Sequence, residues 1–212
     1  IKYCGNQSLE DVKTVNKSKA HYIGFVFSPS KRQVKPENVK QWLSQTKPLV
    51  NKKIVGVFVN ESFDFIQNTI HTASLDVIQL HGNESPAFAQ RVKEIGNIDV
   101  WKVIHHNENA LYVMDQYRNS IDAFLIDNKS KKAWGGTGIN FDWSFVPHYL
   151  KKAQSLEKAC LIAGGINPMN IQDLIKYQPD GIDLASGIET NLKKDKQKIN
   201  ALESQIKTYV QQ

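Results

Sequence analysis

Short apolar, β-prone runs alternate with stretches of helical spacing along the whole chain. The runs lie at residues 1–4, 23–27, 54–59, 77–80, 100–104, 123–126, 160–163 and 182–185. Between them apolar residues recur every three or four positions, as in Leu9/Val12/Val15, Phe63/Ile66/Ile70, Phe88/Val92/Ile95 and Ile171/Leu174/Ile175. That period is the signature of a helix with one buried face. Ser8, Ser62, Ser85, Asn109 and Asn167 stand at the heads of such segments as N-caps, because a short side-chain oxygen can satisfy an amide that the first helical turn leaves unpaired.

Strands joined through helices run parallel, and parallel strands this uniformly apolar are covered on both faces. Eight strand–helix units in 212 residues predict an α/β protein with a single closed (β/α)8 TIM barrel over residues 1–212, its active site at the C-terminal face of the strands. Closure also removes the two edge strands that an open sheet would have to hide. A doubly wound sheet is the competing architecture. Against it, the first strand is followed by Cys4-Gly5-Asn6-Gln7 rather than by Gly-x-Gly-x-x-Gly.

Composition narrows the function classes. Hydrophobic residues make up 41% of the chain, enough for one sizeable core. The net charge of +6 raises the question of nucleic acid. The lysines are scattered, however, with small clusters such as Lys52-Lys53 and Lys151-Lys152, and no basic run is interleaved with aromatics. A solvated lysine-rich surface that helps steer an anionic small molecule fits better than a nucleic-acid partner. No apolar stretch approaches the roughly 20 residues that cross a bilayer, and no signal-peptide pattern opens the chain, so a soluble, cytoplasmic protein without a membrane partner is expected. Cys4 and Cys160 form no CxxC pair and have no histidines at metal-ligand spacing, so no metal site is expected and a reducing compartment is the simplest setting. A monomer is the default for a barrel of this length.

The candidate chemistry sits where strands end. Cys4 closes the first run, and Asp127 follows Phe124-Leu125-Ile126 at the end of the sixth. A thiol and a carboxyl at the mouth of a barrel can serve as base and acid; residue type alone equally allows an inert core thiol and a turn or cap aspartate. Two late loops, Ala163-Gly164-Gly165-Ile166-Asn167 and Ala185-Ser186-Gly187-Ile188-Glu189, follow the seventh and eighth runs. Glycine lets backbone N–H groups approach an anion closely, a helix start adds partial positive charge, and these are the loops that commonly hold a phosphate in barrels. Trp134-Gly135-Gly136-Thr137-Gly138 is either a glycine-hinged lid or a plain connection. Of three arginines, Arg32 is the one expected in a loop at the strand C-terminal end. Cys160, Phe25, Phe58 and Trp143 read as core. His81 is titratable and could serve as acid or base, but a lone histidine at a strand end is more often a satisfied structural group, and Gln79 is equally open.

Taken in order, Lys2-Tyr3-Cys4-Gly5, Ile23-Gly24-Phe25-Val26-Phe27 with Ser30-Lys31-Arg32, Val55-Gly56-Val57-Phe58-Val59-Asn60, Ile78-Gln79-Leu80-His81-Gly82-Asn83-Glu84, Asp127 with Gly135-Gly136-Thr137-Gly138 and Phe141-Asp142-Trp143, Ala163-Gly164-Gly165 and Ser186-Gly187-Ile188-Glu189 resemble the phosphoribosylanthranilate isomerase family. The resemblance runs over nearly the whole chain. It implies an Amadori rearrangement of N-(5-phosphoribosyl)anthranilate to 1-(2-carboxyphenylamino)-1-deoxyribulose 5-phosphate, a step of tryptophan biosynthesis from chorismate, with no cofactor and no metal. Asp127 would be the acid, which must be protonated at working pH, and Cys4 the base, its thiol lowered by a cationic or dipolar environment. Arg32 would take the anthranilate carboxylate through its planar fork, Gly164, Gly165, Ser186 and Gly187 the phosphate, and His81 would line the substrate site, as would Gln79, without an assigned chemical role. Two other classes stay open at this point: another phosphosugar barrel enzyme, such as an epimerase or lyase, and a non-enzymatic phosphate- or nucleic-acid-binding module.

Overall fold

Every apolar run contributes a strand in the computed structural model, which describes residues 1–46, 48–128 and 142–210. The strands are β1 (Lys2–Tyr3), β2 (Tyr22–Val26), β3 (Lys53–Phe58), β4 (Val77–Leu80), β5 (Asp99–His105), β6 (Ala123–Asp127), β7 (Ala159–Ile162) and β8 (Gly181–Leu184). They pair in parallel in chain order, and β1 closes on β8 through Lys2↔Asp183 and Tyr3↔Leu184. The expected closed barrel is therefore present, and the doubly wound sheet is not. Helices α1 (Leu9–Asn16), α2 (Pro36–Ser44), α3 (Phe63–Ala73), α4 (Pro86–Lys93), α5 (Ala110–Gln116), α6 (Val146–Ser155), α7 (Ile171–Ile175) and α8 (Lys196–Val210) follow the strands. An antiparallel hairpin of β9 (Glu189–Thr190) and β10 (Lys193–Lys194) after β8 has no counterpart in the sequence pattern.

The serine caps form as expected: Ser8, Ser62 and Ser85 accept from the N–H groups of Asp11, Phe65 and Phe88. The two asparagines differ. Asn109 stands at the head of α5 but makes no side-chain cap bond. The loop after β7 makes a further turn before its helix, so Asn170 occupies the cap position of α7 while the Asn167 side chain accepts from Met169 N.

Alternation along each strand divides the core in two. Outward residues such as Phe25, Phe58, Ile78, Phe124, Cys160 and Ile162 pack with Val12, Val39, Ile66, Val92, Met114 and Leu174 of the helices. Inward residues Val55, Val77, Trp101, Val103, Ala123, Leu125, Leu161 and Ala163 fill the barrel. Each large side chain removed from water contributes roughly 1.5–3 kcal/mol, so both layers are needed to stabilise closure. Phe25, Phe58 and Trp143 belong to the outer layer, as core residues.

A carboxylate device repeats at the opposite, N-terminal face. Asp76, Asp122 and Asp180, each the residue just before β4, β6 and β8, accept from the backbone N–H of Ile54, Val100 and Cys160 on the preceding strand at 2.6, 2.8 and 2.8 Å. Removing one strands a strand-end N–H. Asp180→Ala is expected to lower stability by about 1–3 kcal/mol in urea denaturation with turnover unchanged, because this end of the barrel is remote from the cavity described next.

Candidate active site

Following the inward alternation up to the C-terminal mouth brings together Cys4 just after β1, Gln79 on β4, His81 just beyond it, Asp127 at the end of β6 and Asp183 on β8. These residues, with Arg32 and the Gly164-Gly165 and Ala185-Ser186 loops, line one cavity of about 760 Å³. Its size suits a ligand of tens of atoms. Phosphate, carboxylate and acid–base candidates from widely separated parts of the chain thus face one space.

Cys4 sits above a buried charge pair. Lys2, two residues earlier on the same inward face, is fully buried and donates to Asp183 Oδ2 at 2.8 Å across the closing β1–β8 seam. Burial works against the Lys2 charge, but Asp183 and Cys4 outweigh it and hold the ammonium above its ordinary range. Burial pushes the Cys4 thiol up; Lys2 and Lys194 pull it down, Asp183 adds to the rise, and the upward direction prevails. The expectation that cations lower this thiol is corrected: they are present, yet the cost of placing a thiolate in a largely enclosed site exceeds their pull. Cys4 should therefore alkylate with a rate that rises with pH through an inflection above the ordinary thiol value of about 8.5. Mass spectrometry after iodoacetamide pulses at stepped pH checks this. Cys160, fully buried in the outer layer and also pushed up by burial, should stay unmodified while the protein is folded.

Asp127 is buried, and its Oδ1 accepts from Asn128 N at 2.8 Å. Its Oδ2 faces His81 Nε2 at 3.5 Å, and His81 Nδ1 is in turn 3.3 Å from Gln79 Nε2. Gly164 packs against this carboxyl: with φ +85°, it holds a backbone shape that favours glycine, and a Cβ there would come within 2.9 Å of Asp127 Oδ1. Gly165 continues the left-handed path. Gly187 does not line the cavity. A Cβ on it would collide with the Ile166 carbonyl, so its role is to let the loops after β7 and β8 pack together. The expected helix start is also absent from the first of these loops, since α7 begins only at Ile171.

Arg32 lines the cavity, but one edge of its guanidinium is already engaged. Nε donates to both oxygens of Glu189 at 3.0 and 3.1 Å and Nη2 to Oε2 at 2.6 Å, a buried fork-on-carboxylate pair. Burial works against the Glu189 charge, yet Arg32 and Lys194 hold its carboxyl below the usual range. Among the described residues no three histidine, cysteine, aspartate or glutamate side chains converge as metal ligands would.

The model of the N-(5'phosphoribosyl)anthranilate (PRA) isomerase family matches residues 1–205. The chain belongs to this family. Relatives named N-(5'-phosphoribosyl)anthranilate isomerase include one from Geobacillus thermodenitrificans, 48% identical over 99% of this chain and 95% of that protein, and one from Bacillus subtilis, 45% identical over 99% and 96%. The solved phosphoribosyl anthranilate isomerase from Thermotoga maritima superposes with a TM-score of 0.85 at 31% identity, covering 98% of each chain. Another solved phosphoribosyl anthranilate isomerase, in complex with reduced 1-(o-carboxyphenylamino)-1-deoxyribulose 5-phosphate, gives a TM-score of 0.82 at 30% identity, covering 98% of this chain and 97% of its own.

Within this isomerase-family chain, the motif Gly135–Gly138 and the lysines before it lie outside the described residues. The sequence motifs assign no role to Lys2, Asp183, Glu189 or Lys194, each a charged residue buried in or lining the site. For the first two a signal existed: each is a charge set in an apolar run, Lys2 at the same strand parity as Cys4 and Asp183 directly opposite Lys2 across the closing seam. A second buried pair supports the His81 loop from behind, where Lys102 Nζ meets Glu84 Oε2 at 2.7 Å and Glu84 accepts from Asn60 N and Gly82 N.

Proposed function

We propose that this chain isomerises N-(5-phosphoribosyl)anthranilate to 1-(2-carboxyphenylamino)-1-deoxyribulose 5-phosphate, with Asp127 as acid and Cys4 as base. The observation that carries the assignment of roles is that the thiol after β1 and the carboxyl at the end of β6, 123 residues apart in the chain, line the same cavity. Asp127 gives its proton to the ribose ring oxygen; the C1–O bond breaks as the anilino nitrogen lone pair forms the C1=N iminium. The Cys4 thiolate removes the proton from C2, and that electron pair forms the C1=C2 bond of the enol-amine, neutralising the iminium. C1 then gains a proton while the C2 hydroxyl loses one, leaving the ketone. Hydrogen and electrons balance within one substrate.

The step uses Cys4 in its thiolate form, and burial raises the pH at which that form appears. Ring opening places the iminium at C1, next to the proton that the thiolate removes. The phosphate is assigned to the backbone of Gly164 and Gly165 and to Ser186, with Gly187 holding their loops together, and the anthranilate carboxylate to the edge of Arg32 that Glu189 leaves. His81 faces Asp127 and is assigned to orient it. The whole constellation comes from one chain, so a monomer suffices. Two free, buried thiols suit a reducing cytoplasm, and among the described residues no helix is long and apolar enough to cross a membrane.

Following the fluorescence of phosphoribosylanthranilate as it is consumed tests the assignment. The purified chain should turn it over without added metal or cofactor; an inactive, folded wild-type protein would end this reading.

A further inference from the structure

We infer that Glu189, anchored by Lys194, is a positioning residue that fixes Arg32 for recognition of the substrate carboxylate. The inference rests on the assignment of that carboxylate to Arg32. Glu189 grips Nε and Nη2 of Arg32, while Nη1 donates to no described residue and the side chain borders the cavity. A guanidinium held along one edge presents the other in a fixed plane, which is how a planar fork gains geometric specificity for an incoming carboxylate.

Glu189 is itself held on several sides. Lys194 Nζ donates to Glu189 Oε1 at 2.7 Å and to the Cys4 carbonyl at 2.5 Å, so a single ammonium ties the carboxylate behind Arg32 to the backbone of the proposed base. Lys198 Nζ donates to the Glu189 carbonyl at 2.6 Å. The β9–β10 hairpin that delivers both residues turns through Asn191 and Leu192, at φ 51° and 63°. A branched apolar side chain rarely takes the left-handed region, and such a shape persists where the surroundings over-determine it. Those surroundings are Gln7 Nε2 on the Leu192 carbonyl at 3.0 Å and Lys194 N on Asp11 Oδ1 at 2.8 Å. The Arg32 stem lies against Gly5, the residue after Cys4, so the carboxylate subsite and the base share one framework.

The test compares N-(5-phosphoribosyl)anthranilate with N-(5-phosphoribosyl)aniline, which lacks the carboxylate, in steady-state kinetics of wild type, Glu189→Gln, Glu189→Asp and Arg32→Gln. Glu189→Asp keeps the charge balance, and so the fold, while withdrawing the grip by one methylene. Both Glu189 variants should raise KM for the anthranilate substrate about tenfold or more, the size of one charged hydrogen bond, with a smaller change in kcat. On the aniline substrate their KM should stay within about threefold of wild type. Equal losses on both substrates, or unchanged KM in Glu189→Asp, would overturn the inference while Arg32→Gln still discriminates between them. If Arg32→Gln fails to discriminate, the assignment of the carboxylate to Arg32 falls, and the inference with it.

Discussion

Cys4→Ala is expected to lower kcat by about 10²–10⁴-fold, the range that a positioned base contributes, with KM little changed and the protein still folded. The thiol is an inward residue at the mouth of the barrel, above Lys2–Asp183 and bordering the cavity, rather than part of the apolar layers. Truncating it leaves Lys2 paired with Asp183, so no buried charge is orphaned and thermal unfolding should shift little. Cys4→Ser should not recover activity, since a hydroxyl of similar shape ionises far less readily than a thiol. In the wild type the population of thiolate rises with pH, because burial holds the thiol above its ordinary value. The alkylation inflection and the onset of base-dependent turnover in the free enzyme should therefore move together. Steady-state kinetics over a pH series in parallel with alkylation checks that correspondence.

Asp127→Asn is the second large effect, again about 10²–10⁴-fold in kcat. The amide is nearly isosteric and can still accept from Asn128 N and pack against Gly164, so positioning survives while the transferable proton does not. Ring opening should become the slow step. A substrate analogue whose sugar is already open then offers a discriminating readout, because Asp127→Asn should process it much better, relative to wild type, than it processes the natural ring form. Activity of Asp127→Asn close to wild type on the closed sugar would remove the carboxyl from the acid role.

Strand positions were readable because parallel strands buried on both faces leave uninterrupted apolar runs, and the closing β1–β8 pair only joins the ends of that list. Cys4 and Asp127 stood out because each ends such a run. Burial was not readable. Residue types showed that cations could accompany Cys4, and only the fold showed that enclosure outweighs them. Asn167 looked like a cap because the turn between β7 and α7 leaves no periodic trace. The β9–β10 hairpin escaped notice because Asn191-Leu192 lacks the glycine that usually marks a two-residue turn. Glu189 stands in a visible motif, but its partner Arg32 is 157 residues away, and no local spacing links them.

The most direct measurement is a crystal structure of this chain with the reduced product, 1-(o-carboxyphenylamino)-1-deoxyribulose 5-phosphate bearing an alcohol at C2. Sγ of Cys4 should lie within about 3–3.5 Å of C2, the separation of groups poised to react, with the Asp127 carboxyl in hydrogen-bond reach of the sugar hydroxyl that derives from the ring oxygen and the phosphate on the Gly164-Gly165 loop. A ligand seated with its C2 carbon beyond a water's width from that sulfur, or with the phosphate elsewhere, would contradict the pairing of Cys4 and Asp127 as base and acid.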